Sequence, residues 1–460
     1  MSPHVHSGLL RTKDKIFFRK QCALSREITT FAKSKQQAVI VTLPSDFETY
    51  TRQLMGAVLY ETLKEGLIKG ETPTSIRLNP YKAKGLQLVD KGGTPVPWCK
   101  DGHYLSLRPN FTFDPLLHAG IYYVQEASSM FLDHVIRHLI DRPVMMLDCC
   151  AAPGGKTTCA MGALPEGSVL FCNEPMKTRA QILSENIQKY GHPDIIVTNN
   201  YPRDYKRTKL QFDVILTDVP CSGEGMFRKD EEAIKEWSVQ NVEKCATLQR
   251  EIVSDIWNCL KPGGILIYST CTFNAHEDEE NAAWIAQELG ADFMQIPVED
   301  EWNITGSLVD SNPVYRFLPG KTQGEGLFMC VLRKHGSHSY EEPRKNIRIP
   351  KELHLLHHGI KADTVKGKNV IPDESKALSI LKDKEEYPLV EVDYNNAINY
   401  LRKEAITLDS EAPRGIVMIS YKGQPLGFAK NLGNRANNLY PQEWKIKSTH
   451  IPESNCEVLI

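Results

Sequence analysis

The sequence lacks the marks of several protein classes. Its 12 cysteines include no Cys-x-x-Cys pair of the zinc-binding kind, and no secretory signal precedes them. We therefore expect free thiols in a reducing, cytoplasmic compartment, with no metal site and no disulfide framework. No apolar run approaches the roughly 18 residues that a membrane span requires, so no membrane partner is expected.

An excess of positive charge is also missing. The chain carries 55 Lys and Arg against 57 Asp and Glu, which gives a formal net charge of -2. No basic field surrounds the whole molecule, so any binding of nucleic acid must depend on local patches.

The 460 residues are enough for several domains. Residues 1–42 form a basic extension that could be a transit peptide, a nucleic-acid arm or, the interpretation we favour, a dispensable extension from an upstream start codon. After it we predict four regions: a small α+β domain at 43–115, an α/β domain at 116–334, a charged connector at 335–389 and a β-rich domain at 390–460.

Apolar periodicity predicts most of the helices and strands. Phe47–Leu67 has helical spacing with Leu54, Val58 and Leu59 on one side, and Gln125–Leu139 is predicted as a second helix. Regular alternation of strands and helices then indicates βαβ units around a mostly parallel sheet. The predicted strands are Val144–Leu147, Ser168–Cys172, Ile195–Thr198, Val214–Thr217 and Gly264–Ser269, and the helices between them include Lys177–Tyr190 and Glu231–Leu260.

Two of these strands end in a thiol. The run FDVILTDVPCSGEG places Asp218 at a strand end, with Pro220 and Cys221 directly after it. The run GGILIYSTCTF ends similarly in Cys271. Each cysteine alone is more often a small apolar core residue. If the two strands are neighbours, however, both thiols lie in one crevice with Asp218, as a ligand site at strand ends requires.

A glycine loop follows the first strand of the alternation. In LDCCAAPGGKTT a phosphate-binding P-loop is excluded, because the position that needs its first glycine is Cys150. A Rossmann-like site for an adenosine ligand remains, since Gly154 and Gly155 precede a predicted helix at Lys156. Such a site expects an acid at the next strand end to bind ribose hydroxyls, and Glu174 lies twenty residues after Gly154.

Three motifs give the chain a specific resemblance. CAAPGGKTT (Cys150–Thr158), DVPCSGEG (Asp218–Gly225) and STCTF (Ser269–Phe273) resemble, in order and spacing, the Sun-type RNA cytosine-5 methyltransferases. The GMFRKD run and the C-terminal region are most similar to the bacterial RsmF type, which modifies small-subunit ribosomal RNA. The resemblance implies a Rossmann-like methyltransferase domain that uses S-adenosylmethionine, with a PUA-like C-terminal module.

It also implies roles for individual residues. Cys271 is the expected nucleophile, which adds to carbon 6 of cytosine, and Cys221 is the expected release residue. Asn200 stands where many relatives have an acid and is expected to accept a bond from the adenine amino group. The expected cofactor-binding residues are Cys150, Ala151, Ala152, Pro153, Gly154, Gly155, Lys156, Glu174, Asn200 and Asp218, the last of which holds the cofactor or the cytosine edge.

The flanking regions are expected to bind the RNA. Candidate basic residues are Arg77, Lys82, Lys84, Lys100 and Arg108 in the α+β domain, and Lys422, Lys430, Arg435 and Lys445 in the PUA-like domain. Transfer RNA as substrate, a catalytically silent assembly factor and a plain C-terminal β-domain remain open alternatives. The acidic run Glu277–Glu279 after the nucleophile is expected to satisfy a helix dipole.

Overall fold

The computed structural model describes residues 42–343, 347–367, 369–381, 386–452 and 455–460. The predictions for 1–42 therefore lie, apart from Thr42, outside the described residues. The rest divides into two compact units. We call them the cysteine-pair unit (up to Thr72, Pro175–Thr178 and Asn200–Tyr340) and the glycine-loop unit (Pro73–Glu174, Arg179–Asn199 and Glu341–Ile460). Among the helices of the described ranges, none is both long and apolar enough to cross a membrane.

The cysteine-pair unit contains the two strands that end in thiols. Phe212–Asp218 and Leu260–Thr270 lie side by side and parallel, with Asp218 opposite Ser269. All residues of the first strand except Asp218 are buried, as expected for a strand covered on both faces. Three further strands of this unit are antiparallel: Leu327–Lys334 pairs with Leu260–Thr270, and Ala291–Phe293 and Val314–Phe317 pair with Leu327–Lys334.

One helix that was predicted in this unit is divided into two. The single helix expected over Glu231–Leu260 is two, Glu231–Glu236 and Val239–Trp257, because the Ser238 side chain caps the second by accepting a bond from the backbone N–H of Asn241. Leu260 already belongs to the next strand. A third helix, Glu279–Leu289, follows the STCTF run.

The helix Ser45–Ile68 confirms the predicted element but not its buried face. Val58 is 85% exposed, whereas Phe47, Leu63 and Leu67 are buried. Gly56 causes this difference, because its φ of 73° is not helical and interrupts the helix. The side chains before and after Gly56 therefore do not follow one common 3.6-residue period. Phe47 then packs edge-on against Phe227 and Trp237, with ring centroids 5.2 and 5.6 Å away.

The glycine-loop unit contains three parallel strands that follow one another along the chain, and the predicted α/β, Rossmann-like class is confirmed. Met145–Asp148, Val169–Asn173 and Ile195–Thr198 pair in that order. The helices Gly155–Ala163 and Lys177–Tyr190 connect them along the chain. Leu355–His358, in the predicted connector, is an additional edge strand antiparallel to Ile195–Thr198. The connector also contains the strands Thr364–Lys366 and Asn369–Ile371 and the helix Glu374–Leu378.

A four-stranded antiparallel sheet precedes these strands. Its order is Thr94–Pro95, Gly102–Leu105, Thr74–Leu78 and Tyr122–Val124. The short helix Pro115–His118 precedes its last strand. The helix predicted over Gln125–Leu139 begins later, at Phe131, after a 3-10 turn at Ser128–Met130.

In its described residues, the C-terminal module has four strands, one α-helix and the 3-10 helix Gln442–Trp444. Leu389–Glu391 is parallel to Gly415–Tyr421, which pairs antiparallel with Gln424–Asn431, and that strand pairs with Ala436–Asn438. The α-helix is Tyr394–Leu401. Its core is continuous with that of the N-terminal sheet, and one buried cluster includes Ile76, Phe113, Leu116, Tyr122, Ile398, Val417 and Leu459. Within this unit, the C-terminal module therefore shares its hydrophobic core with the N-terminal sheet.

Candidate functional site

The two thiols predicted to share a crevice are in contact. Cys221 Sγ lies 2.9 Å from Cys271 Sγ, and both residues are half-buried. Their strands are parallel neighbours, so the segments that follow Asp218 and Thr270 emerge at one sheet edge. Asp218 lies at that edge, where its Oδ1 accepts a hydrogen bond of 2.8 Å from the Ser269 hydroxyl.

The electrostatics of the pair favour a protonated thiol at Cys221. Its hydrogen bond with Cys271, together with burial, raises the pKa of Cys221 well above its usual value. A neutral thiol can donate a proton or, after losing it, accept one, but it is a poor nucleophile. The geometry therefore places both sulfurs within reach of one reacting group, and burial with the hydrogen bond keeps Cys221 in the thiol form.

Two buried carboxylates that the sequence analysis did not select hold the segments around the thiols. Glu224 accepts hydrogen bonds from the backbone N–H of Phe273 and from the Trp237 indole, at 2.6 and 2.9 Å. Glu277 accepts from the backbone N–H of Ser222 at 3.0 Å and from the Gln249 amide at 2.7 Å. Both side chains are fully buried.

Burial changes the acidity of these carboxyls. It raises the pKa of Glu277 to about 7, with a further contribution from the negative charge of Glu224, and burial also raises the pKa of Glu224. The expectation that the acidic run lies at a helix N-terminus is confirmed for Asp278, at the N-cap, and for Glu279, in the first turn. It is wrong for Glu277, whose carboxylate accepts a bond from the loop that follows Cys221.

A buried arginine fixes the residues on either side of Cys271. Arg316, 1% exposed, pairs with Asp278 at 3.0 Å and also with Glu279. Asp278 in turn accepts bonds from the hydroxyls of Thr270 and Thr272, at 2.5 and 3.1 Å. The threonines of the STCTF run therefore have a structural function: they anchor the backbone around the thiol.

The glycine loop, Cys150–Lys156, lies between the strand Met145–Asp148 and the helix Gly155–Ala163. Gly154 has a φ of 111°, a left-handed conformation that a residue with a side chain would adopt only under strain. The backbone N–H of Ala151 donates to the Asn173 carbonyl at 2.8 Å. The Thr157 hydroxyl donates to Asp148 at 2.7 Å, so both ends of the loop are tied to strands.

Arg77 supports this loop from the protein interior, and its prediction as a surface residue is wrong. It is 3% exposed. Its guanidinium donates to Gln125 Oε1 at 2.8 Å, to the carbonyls of Gly155 and Thr158 at 3.3 Å each, and to the Thr158 hydroxyl at 2.6 Å. A charged side chain on a buried strand needs hydrogen-bond partners inside the protein. The place of Arg77 in the middle of a strand is therefore the sequence signal that could have identified its role.

Glu174 directly follows the strand Val169–Asn173 and is 1% exposed. Arg179 lies 3.2 Å from its carboxylate and also donates to the Ala152 carbonyl at 2.8 Å, which links the predicted ribose acid to the glycine loop. The Asn199 side chain donates to the Glu174 carbonyl at 2.7 Å.

The predicted cofactor residues are divided between the two units. Cys150–Lys156 and Glu174 belong to the glycine-loop unit, whereas Asp218 and Asn200 belong to the cysteine-pair unit. Asn200 follows the strand Ile195–Thr198 by two residues, as the sequence predicted.

Some predicted RNA contacts have structural partners instead. Lys422 pairs with Glu457 at 2.9 Å, and Lys82 donates to the carbonyls of Ala119 and Lys189 at 2.9 and 2.6 Å. Arg435 is exposed and Lys445 is half-exposed, which suits contacts with a polyanion better.

Comparisons with protein families agree across the chain. Residues 141–333 match the model of the 16S rRNA methyltransferases RsmB/F. Residues 43–127 match the N-terminal domain of 16S rRNA methyltransferase RsmF, and residues 387–446 match the methyltransferase RsmF PUA domain.

Individual relatives agree with these models. The chain is 28% identical over 465 residues to proteins named ribosomal RNA small subunit methyltransferase F from Escherichia coli K12 and Shigella sonnei, with 88% of this chain and 96% of each relative covered. Two solved structures from Pyrococcus horikoshii share the fold. A methyltransferase homologue has a TM-score of 0.54 at 23% identity (64% of this chain, 96% of that one). NSun6 with SFG has a TM-score of 0.53 at 19% identity (65% and 100%).

Proposed function

The chain belongs to the RsmB/F family of 16S rRNA methyltransferases, and from this premise we propose that it methylates carbon 5 of a cytosine in small-subunit ribosomal RNA. The observation that carries the proposal is the contact of Cys221 and Cys271, whose sulfurs are 2.9 Å apart. Methylation of this carbon requires two groups from the protein: a thiol that activates the ring, and a second group that helps to restore it. The reaction is proposed to take place in the cytoplasm.

The proposal assigns the attack to Cys271. Carbon 5 of cytosine is a poor nucleophile, and addition of the Cys271 thiolate to carbon 6 converts the ring into an enamine. Carbon 5, now electron-rich, could then take the methyl group that the cofactor would supply, and the sulfonium sulfur would leave as a neutral thioether. Thr270 and Thr272, bound to Asp278, hold the thiol in place during the attack.

Release is assigned to Cys221. After methyl transfer carbon 5 carries both a methyl group and its original proton. This proton must leave before the electron pair can expel the Cys271 sulfur and restore the aromatic ring. Contact with Cys271 places the Cys221 thiol beside the covalent bond that has to break. As a thiolate, with its own proton lost to solvent, Cys221 takes the proton from carbon 5 and returns to the neutral thiol.

The residues present suit S-adenosylmethionine as the cofactor. This group, when bound, supplies an electrophilic methyl carbon on a sulfonium. The N-terminus of the helix Gly155–Ala163 offers backbone N–H groups to the carboxylate of its methionine part. A carboxylate at Glu174 suits two ribose hydroxyls, and Asn200 can accept a bond from an adenine amino group. Asp218 is assigned to the cofactor or to the cytosine edge.

Substitution of the two cysteines tests the assignment. Cys271→Ala should abolish methylation and form no covalent adduct with RNA. Cys221→Ala should let Cys271 attack and then retain the methylated base, so a protein–RNA adduct should remain on a denaturing gel and vanish in the double variant. An adduct from Cys271→Ala but not from Cys221→Ala would reverse the two roles.

The RNA target needs a separate experiment. Bisulfite sequencing of total RNA from a deletion strain should show one methylated cytosine lost from small-subunit ribosomal RNA, and complementation should restore it. Loss of a transfer-RNA site instead, or of no site, would reject the ribosomal target.

A further inference from the structure

The two thiol segments are joined by a reciprocal arrangement of buried carboxylates. Glu224, three residues after Cys221, accepts the backbone N–H of Phe273, two residues after Cys271. Glu277, six residues after Cys271, accepts the backbone N–H of Ser222, which directly follows Cys221. Each carboxylate therefore belongs to one cysteine's segment and holds the backbone of the other's.

Asn274 connects the two carboxylates. Its side-chain N–H₂ donates to Glu224 at 3.0 Å and to Glu277 at 2.9 Å, and its Oδ1 accepts the backbone N–H of Glu277 at 2.9 Å. We call Glu224, Asn274 and Glu277 the two-carboxylate bridge. All three residues are at most 2% exposed.

The backbones of the two thiol segments are also joined directly. The backbone N–H of Gly225 donates to the Cys271 carbonyl at 2.8 Å, and a Cβ at Gly225 would lie 2.9 Å from that oxygen. Burial of two acids this close carries a desolvation cost that a hydrophobic core would avoid. A stability function alone would not require each acid to hold backbone within two residues of the opposite thiol.

We propose that Glu224 and Glu277 are positioning residues that act on opposite steps of the two-thiol reaction. Glu224 holds the segment of Cys271 and so governs attack on the base. Glu277 holds the segment of Cys221 and so governs release of the product. This inference rests on the proposed function, because it assigns the two carboxylates to the steps that the two cysteines perform.

Replacement by glutamine separates the two effects with little change in volume. Every hydrogen-bond partner of the Glu224 carboxylate described above is a donor, and the same holds for Glu277. A glutamine therefore directs its own N–H₂ at a donor and loses one of these bonds. A shift of a fraction of an ångström in the opposite segment is expected, and rates of positioned reactions are sensitive to such shifts.

The experiment measures formation and decay of the covalent adduct in single-turnover reactions with RNA and S-adenosylmethionine. Glu277→Gln should decay on the order of tenfold more slowly, and accumulate adduct, with formation changed by less than about twofold. Glu224→Gln should form the adduct on the order of tenfold more slowly, without accumulation.

Asp114→Asn is the matched control. Asp114 is a buried carboxylate of the glycine-loop unit that also accepts bonds from backbone N–H groups, those of Leu116 and Val458. The Asp114→Asn substitution should lower the melting temperature without changing the ratio of the rate of adduct formation to the rate of adduct decay. If a glutamine variant does not fold, Trp237→Phe and Gln249→Leu each remove one donor from the respective carboxylate and should shift the same step in the same direction.

The outcomes separate this inference from the proposed function. If Cys221→Ala accumulates adduct but both glutamine variants slow formation and decay equally, the bridge is only structural and the inference is overturned. If Cys221→Ala and Cys271→Ala show no adduct difference, the assignment of the thiols fails first. Slower decay in Glu224→Gln and slower formation in Glu277→Gln would also contradict the inference.

Discussion

Buried charges hold a loop in each of the two units, but their signs are opposite. Around the thiols, Glu224 and Glu277 accept bonds from backbone N–H groups. Behind the glycine loop, Arg77 donates to the backbone carbonyls of Gly155 and Thr158. The sign follows from the backbone groups that each segment presents, because a carboxylate can only accept and a guanidinium can only donate.

The difference also has a chemical consequence. Negative charge from Glu277 adds to the hydrogen bond and the burial that keep Cys221 protonated. A positive charge beside the first turn of the helix Gly155–Ala163 strengthens the attraction of the helix N-terminus for an anionic ligand group. Each buried charge therefore supports its loop and also sets the sign of the local electric field, negative beside Cys221 and positive beside the helix Gly155–Ala163.

Removal of the Arg77 guanidinium is expected to have the largest effect among the buried charges compared above. Arg77→Met should lower the free energy of unfolding by about 3 kcal/mol or more, because several buried acceptors lose their donor at once. Binding of S-adenosylmethionine should weaken with it. Urea unfolding and calorimetry measure the two effects, and Arg108→Met, at an exposed site, should change stability by less than about 0.5 kcal/mol. Equal effects from both variants would contradict the supporting role.

The pH dependence of stability tests the acidic side. The pKa of Glu277 is about 7 in the folded protein against the ordinary 4.5 of a glutamate side chain, so folding favours its protonated form. Its stabilising contribution is present below pH 4.5 and is lost as the pH rises through 7, by at most about 3 kcal/mol. Urea unfolding between pH 5 and 8, roughly this window, should show a decline in the wild type that Glu277→Gln reduces. The same slope in both proteins would place the titration elsewhere.

Glu174 differs from Glu224 and Glu277, because this buried acid is assigned to bind the cofactor and not to hold backbone. Glu174→Ala should weaken S-adenosylmethionine by about 1.5–3 kcal/mol, as expected for hydrogen bonds to a charged group. Calorimetry measures this change, and Glu166→Ala, an exposed acid of the same unit, should leave the affinity unchanged. Unchanged affinity in folded Glu174→Ala would remove this residue from the site.

The smallest effects are expected at exposed charges. Arg435→Gln and Lys445→Gln should each reduce the slope of log affinity for RNA against log salt concentration by about one, whereas Lys422→Gln, already paired with Glu457, should change it less. Filter binding across a salt series measures the slopes. Point substitutions are preferable to deletion of 390–460, since this segment shares a core with Ile76 and Phe113. Equal slopes for all variants would place the RNA surface elsewhere.

Local pattern predicted much of the fold. The strand and helix alternation, the helix Lys177–Tyr190 with its observed bounds, and the position of both cysteines after buried strands follow from apolar periodicity and from proline and glycine. The helix Ser45–Ile68 shows the limit of this reasoning. Its buried face was predicted wrongly because a single glycine changed the helical phase.

The sequence by itself determined that two thiols, a glycine loop and a strand-end acid would occur at the ends of parallel strands, because spacing along the chain specifies these places. Only the tertiary structure decided that the sulfurs are 2.9 Å apart, that Arg77 lies inside, and that Glu224 and Glu277 exchange backbone partners. These pairs join residues about fifty or more positions apart. A buried charge takes whichever partner long-range packing brings within hydrogen-bond distance, and no local pattern records that choice.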